Sequence, residues 1–245
     1  MSQKIRLDKL LYEVKGLKSR AEASALIMAG RVSVDGKKVD KAGFYVKPDV
    51  ELQIKAGPRY VSRAGGKLAS VADEFHMNFK NKIVLDVGSS TGGFTDFALQ
   101  NGAIKVYAVD VGTNQLEWKL RQDPRVVVLE KTDIRDLQGL VDIPQIVVID
   151  VSFISLRLVL PAVAQLIDSD TEVLPMVKPQ FEADYKTASM HKGVIKNNTI
   201  RRGILKDMEL WMQGNGWVIS DKADSAVHGA KGNIERFYKL NLAKK

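Results

Sequence analysis

The apolar positions change period along the chain. Leu7, Leu10, Leu11 and Val14 recur at helical spacing, with Asp8 in the first turn and Gly16 to stop the helix they predict. Ser19 with Glu22 three residues later has the capping-box pattern. It predicts a second helix through Ala21, Ala25, Leu26, Ile27 and Met28, ended by Gly30. Residues 31–39 then read as strand, turn, strand around Asp35-Gly36, and residues 50–54 as a further strand. Gly57-Pro58 marks a turn and a domain boundary. Beyond it a helix is expected, with Leu68, Val71, Ala72 and Phe75 on one side. Short apolar runs then alternate with helical patterns. Strands are expected at 83–87, 105–109, 126–129, 145–149 and 172–177, and helices at 95–101, 113–121, 156–167 and 199–213. Two more strands are expected at 216–220 and 234–240, the direction of the last left open by its pattern, and residues 184–198 predict a loop. Apolar strands alternating with helices are the signature of an α/β fold with a parallel sheet.

The chemistry concentrates where the first of these strands ends. Ile83, Val84, Leu85 and Val87 flank Asp86; Gly88, Ser89, Ser90, Thr91, Gly92, Gly93 and Phe94 follow and lead into a helix. The glycines allow close approach of backbone to a ligand, and the helix start offers free N–H groups. The spacing is neither G-x-G-x-x-G nor G-x-x-x-x-G-K-[ST], and an acidic residue two before the first glycine suits a cation better than a pyrophosphate. S-adenosylmethionine, with an ammonium and a sulfonium, has that charge; a tight turn with no ligand is the alternative. Asp110 ends the second strand 24 residues after Asp86, where nucleoside-binding α/β domains hold ribose hydroxyls. Thr132-Asp133 after the third strand is a candidate adenine contact, and Asp150 ends the fourth.

Composition narrows the classes. The chain has 245 residues, 45% apolar and 27% charged, which suits one large domain, or one medium domain and a small one. It has no cysteine, hence no disulfide, thiolate metal site or cysteine nucleophile, in keeping with the cytoplasm. Its start has no apolar signal-peptide core, and the longest apolar stretch, 146–167, is broken by Asp150, Arg157 and Pro161, so no membrane span is expected. His76, His191 and His228 show no metal spacing. The net charge of +8 is uneven: residues 1–60 hold 13 Lys and Arg against 7 Asp and Glu. A basic appendage on a near-neutral body suits a polyanion.

The first fifty residues resemble an S4 RNA-binding domain, through Arg6-Leu-Asp-Lys-Leu-Leu11, Ser19-Arg-Ala21, Leu26-Ile27 with Gly30, Val32-Ser-Val-Asp-Gly36 and Val50-Glu-Leu52. The resemblance implies that Arg6, Lys9, Lys15, Lys18, Arg20 and Arg31 contact RNA phosphates. Aromatic platforms are sparse there, so folded RNA would be recognised by shape and charge.

From residue 58 onward the chain resembles the FtsJ-like methyltransferases, and within them the TlyA (hemolysin A) type. The motifs are Tyr60-Val-Ser-Arg63 with Lys67-Leu68, Asp86-Val-Gly-Ser-Ser-Thr-Gly-Gly-Phe94, Asp110-Val-Gly-Thr-Asn-Gln-Leu116, Asp150-Val-Ser-Phe-Ile-Ser155, Val177-Lys-Pro-Gln-Phe-Glu182 and Lys231-Gly-Asn-Ile-Glu235. Gly65-Gly66 stand before Lys67 where bulkier residues are often found. The resemblance implies a small α+β S4 domain (1–56), a linker (57–62) and a Rossmann-like class I methyltransferase domain (63–245). That domain would have a seven-stranded, mostly parallel sheet with helices on both faces. It maps a Lys-Asp-Lys-Glu tetrad onto Lys67, Asp150, Lys178 and Glu235, and a cofactor site onto residues 86, 88–94, 110 and 133. It implies S-adenosylmethionine-dependent 2′-O-methylation of ribosomal RNA, at cytidine in 16S or 23S rRNA, with no metal. The rivals are a non-catalytic ribosome-assembly factor and a hemolysin-like membrane-active protein.

Overall fold

The computed structural model describes residues 4–191, 193–229 and 232–244. Lys231, which opens the last family motif, lies outside them. The chain divides between Arg59 and Tyr60 into two compact units.

In the first unit, α1 (Leu7–Lys15) and α2 (Arg20–Met28) bury Leu7, Leu11, Ala23 and Ile27 completely. Gly16, at φ 61°, ends α1 in the left-handed region that glycine tolerates. The Ser19 hydroxyl accepts from the Glu22 N–H, while the Glu22 carboxylate accepts from Lys18 N–H, one residue earlier than a reciprocal capping box. Among the strands, β2 (Val32–Val34) pairs with β3 (Lys37–Val39) through Asp35-Gly36 and with β5 (Leu52–Ile54) on its other side. A second ribbon, β1 (Ile5–Arg6) against β4 (Tyr45–Val46), went unanticipated because two-residue strands carry no period.

The second unit is a seven-stranded sheet in the order β11-β12-β10-β9-β6-β7-β8. Its strands are β6 (Ile83–Val87), β7 (Lys105–Asp110), β8 (Val126–Glu130), β9 (Ile146–Ile149), β10 (Glu172–Val177), β11 (Trp217–Asp224) and β12 (Arg236–Leu242). Five pair in parallel; β12 runs antiparallel between β10 and β11, so the other six strands point one way. On one face α3 (Arg63–Ala72) and α4 (Gly93–Gln100) bury Leu68, Val71 and Phe97 against Val84, Val106 and Val148. On the other, α6 (Leu156–Ala164) and α9 (Asn198–Gly214) bury Leu160 and Met208 against Leu85, Val147 and Ile149. The period of two along β6 sends Leu85 and Val87 to the second face and Val84 and Asp86 to the first.

The second unit departs from the expected elements most clearly in three places, besides a last strand that begins at Arg236 rather than 234 and so leaves Glu235 outside it. The helix expected at 113–121 shrinks to α5 (Trp118–Arg121). Asn114 sits in the left-handed region at φ 53°, which breaks the helix there, and Glu130, at the end of β8, holds that turn by accepting from the N–H groups of Asn114 and Gln115 at 2.8 and 3.1 Å. The loop expected at 184–198 contains α8 (Tyr185–Met190), whose N-cap Asp184 accepts from Thr187 N–H. The strand expected at 216–220 runs on to Asp224, paired with β12 on both sides of a bulge at Ser220.

Candidate active site

Neighbouring strands β6 and β9 lead to opposite sides of the sheet, β6 toward β7 and β8, β9 toward β10. Their carboxyl ends therefore open a crevice where α/β folds bind ligands. Gly88 follows β6 at φ 80°, and a Cβ there would lie 2.8 Å from the Asp150 carbonyl oxygen. Only glycine lets the chain leave β6 beneath the end of β9.

Two adjoining cavities occupy the crevice. The larger, about 330 Å³, lies among Val111, Thr132, Asp133, Ile134 and Val151, with Asp110 on its wall. Asp110 is fixed from two sides: Oδ2 accepts from Ser90 N–H at 2.8 Å and Oδ1 from Gly112 N–H at 2.7 Å. Asp133 accepts from the Arg135 backbone N–H and pairs with its guanidinium, which holds the carboxyl below the usual carboxylate range. The smaller cavity, about 160 Å³, lies among Asp86, Ser89, Thr91, Phe94 and Lys178. Gly88, Ser90, Asp150 and Ser152 line both.

Asp86 is completely buried. Oδ2 accepts from the Thr95 hydroxyl at 2.6 Å; Oδ1 has no hydrogen-bond partner among the described residues. Burial pushes this carboxyl up to about 7, with the charges of Asp150 and Asp110 adding to the rise and Thr95 opposing it. A buried carboxylate oxygen left unmatched is costly unless a cation or donor reaches it. Gly92 and Gly93 line neither of the two cavities. A Cβ on Gly92 would meet Leu120 and Leu116, and one on Gly93 would meet Ser62, Ala64 and Gly65. Gly65 in turn would collide with Tyr60 and the Gly93 carbonyl oxygen. Gly65 and Gly93 bring the starts of α3 and α4 together, backbone against backbone, so a bulkier residue at Gly65 would force them apart.

Lys67, Asp150, Lys178 and Glu235 arrive from α3 and the ends of β9, β10 and β12, as two ion pairs. Lys178 Nζ stands 2.6 Å from Asp150 Oδ1 and also donates to the Ser152 hydroxyl at 2.8 Å. Lys67 Nζ stands 2.6 Å from Glu235 Oε2. Val177 pairs with Arg236, so the antiparallel register sets Glu235 beside Lys178. Three further ties bind the loop after β9 to the segment after β10. Ser155 donates to Glu182 at 2.5 Å, Leu156 N–H donates to the same carboxylate at 2.8 Å, and the Phe153 and Phe181 rings lie 5.0 Å apart. Phe153 is 91% exposed and sits at φ 64°, unusual for an aromatic residue. Ser62, Ser152, Phe153 and Gln115 lie at this crevice without having been singled out by sequence, although each falls inside a quoted motif. The signal was available in the motifs; the roles needed the fold.

The basic residues of the first unit are not equivalent. Asp8, almost wholly buried, receives two hydrogen bonds from each of Arg6 and Arg20. Arg6 first, then Arg20, draws its carboxyl down to about 2. Arg31 donates to the Lys55 carbonyl oxygen. Lys9 stands 3.9 Å from Glu13, while Lys15 and Lys18 are exposed with no side-chain partner among the described residues.

Comparison with known proteins follows the same division. Residues 60–242 match the FtsJ-like methyltransferase family, and residues 5–52 match the S4 domain. The Bacillus subtilis protein named "Putative rRNA methyltransferase YqxC" is 44% identical over 238 residues, 96% of this chain and 84% of that one. The 16S/23S rRNA (cytidine-2′-O)-methyltransferase TlyA of Mycobacterium tuberculosis is 38% identical over 244 residues, 97% of this chain and 90% of that one. Among solved structures, "Putative hemolysin from Streptococcus thermophilus" superposes with a TM-score of 0.74 at 38% identity, covering 100% of this chain and 90% of that one.

Proposed function

The chain belongs to the FtsJ-like methyltransferase family, with an S4 domain ahead of the catalytic fold, and from that premise we propose that it methylates a ribose 2′-hydroxyl of ribosomal RNA with S-adenosylmethionine. The substrate in the relative's name, cytidine of 16S and 23S rRNA, is the one we assign. The reaction belongs where ribosomes are made and used, in the cytoplasm.

The crevice fits the cofactor. Asp110 and Asp133 with aliphatic walls suit an adenosine, and the smaller cavity with the unmatched Asp86 oxygen suits the α-ammonium of an amino acid. When bound, S-adenosylmethionine supplies a methyl group activated by its sulfonium. The chain's own residues do the rest. Lys178, on the wall of the smaller cavity, would orient the ribose hydroxyl and, once its ammonium has given up a proton, take up the hydroxyl proton as the oxygen–carbon bond forms and the carbon–sulfur bond breaks. Asp150, 2.6 Å away, stabilises the ammonium that results, and Ser152 fixes the direction of the Lys178 hydrogen bonds. Glu235 holds Lys67 beside them. Positioning of this kind supplies much of the rate in an in-line displacement.

The observation that carries the proposal is the Lys178–Asp150 pair at the junction of the two cavities. Substituting Lys178→Ala is expected to lower methyl transfer to ribosomal RNA by about 10²–10⁴-fold, with cofactor affinity changed only a few-fold. Undiminished transfer by a folded Lys178→Ala protein would overturn it. No helix among the described residues is long and apolar enough to cross a membrane.

A further inference from the structure

Glu235 lies outside regular structure, between Asn233-Ile234 and the first residue of β12. A carboxylate that must meet Lys67 at 2.6 Å needs its backbone held, and the hydrogen bonds around it come from distant parts of the chain. Arg201, in α9, is 7% exposed; its Nε donates to the Ile234 carbonyl oxygen at 3.1 Å, on the peptide that joins Ile234 to Glu235. The same guanidinium donates to Asp224 Oδ1 at 2.5 Å, and that oxygen also accepts from Arg236 Nε at 2.6 Å. One node therefore grips the residue before Glu235 and the residue after it. The Glu235 carbonyl oxygen accepts from Ser225 N–H at 2.9 Å. On the side-chain side, a Cβ at Gly229 would stand 2.2 Å from Glu235 Oε1 and 2.7 Å from Cδ. Gly229 does not need glycine for a left-handed backbone; the volume beside it is taken by the Glu235 carboxylate.

We propose that Arg201, through its bonds to Ile234 and Asp224, and Gly229, through the space it leaves, are positioning residues that set Glu235 against Lys67. Neither touches the cavities assigned to cofactor and hydroxyl. The proposal rests on the reading of Glu235 as part of the catalytic group. It explains why a buried guanidinium, costly to desolvate, is placed at this point in the fold.

The test uses the full chain. Arg201→Met and Gly229→Ala are each expected to lower kcat by roughly tenfold or more, with KM for S-adenosylmethionine and Kd for S-adenosylhomocysteine within about twofold of the parent, as expected when ground-state binding is untouched. Arg201→Lys, which keeps the charge and one donor, is expected to recover part of the loss. Melting temperature supplies a second readout that does not depend on residual activity. Gly229→Ala is expected to lower it in the parent and to leave it unchanged in Glu235→Ala, where the obstructing carboxylate is gone. Equal destabilisation in both backgrounds would overturn the role of Gly229. A kcat untouched by Arg201→Met, or lost in step with cofactor affinity, would overturn that of Arg201. If Glu235→Gln itself left kcat unchanged, the catalytic reading of Glu235 would fall instead, a separate outcome.

Discussion

At the residue scale, Asp86 shows how one side chain answers to its surroundings. Its type and place were legible: an acid flanked by aliphatic residues before a glycine turn points to a strand end facing a ligand. Its burial was not, because the covering residues come from α3, α4 and the end of β9. With its carboxyl raised to about 7, Asp86 favours the folded state in its protonated form. That contribution is complete below the ordinary carboxylate range and is lost as pH rises toward 7. An ammonium selects the charged form, so binding of S-adenosylhomocysteine should release a proton below pH 7, and its affinity should fall by up to about tenfold per unit as pH drops further. Calorimetry in buffers of different ionisation enthalpy measures both. A Kd flat between pH 5.5 and 7.5, without proton release, would show that Asp86 does not meet the cofactor amine. Gly92 and Gly93 add a demand that sequence did not show. Sequence groups them with the cofactor turn; the structure adds that a Cβ on them would meet Leu116, Leu120 and the start of α3, residues that no local spacing connects to them.

At the element scale, strands were easier to read than the loops that end them. Continuous apolar runs placed the central strands of the parallel sheet to within a residue or so, since burial on both faces leaves little choice of residue. The segment at 113–121 misled for a definite reason. Leu116 and Leu120 have helical spacing, but Asn114 takes a left-handed backbone at φ 53°, held by hydrogen bonds from the Asn114 and Gln115 N–H groups to Glu130, a residue that local spacing does not connect to them. The same kind of long-range carboxylate joins two motifs at the site. Glu182 caps the start of α6 by accepting from Ser155 and Leu156, which ties the loop carrying Asp150 and Ser152 to the segment carrying Lys178. Removing it in Glu182→Ala leaves a helix start without its acceptor and should cost about 1–3 kcal/mol. Thermal denaturation reads that loss. Methyl transfer should fall further than the folded fraction does, because the Lys178–Asp150 geometry depends on the same tie. A loss of activity no larger than the loss of folded protein would separate the cap from the chemistry.

At the scale of the whole molecule, the proposed function assigns RNA affinity to the first unit and chemistry to the second. The charge asymmetry was legible from counting residues; which of the cations remain available was not. Arg6 and Arg20 share the buried Asp8, whose carboxyl stays ionised down to about pH 2, so together they present only one net charge. This pairing stabilises the unit above the ordinary carboxylate range, and the contribution is lost as pH falls through about 2. Under the proposed function, Lys15 and Lys18, with Lys9 only 3.9 Å from an exposed Glu13, are the cations we assign to phosphate contact. Binding of this kind releases counterions, and its affinity falls with salt in proportion to the number of phosphates met. Replacing Lys9, Lys15 and Lys18 together by alanine should therefore lower affinity for ribosomal RNA and reduce the slope of log K against log salt by about 2 to 3, nearly one per lost contact. Affinity for S-adenosylhomocysteine, measured on the same protein, should not change, since the cavities are built wholly from residues beyond Arg59. An unaltered salt slope would move the RNA-binding role away from these lysines. A smaller slope with a weakened cofactor site would mean that the substitutions had reached the catalytic unit.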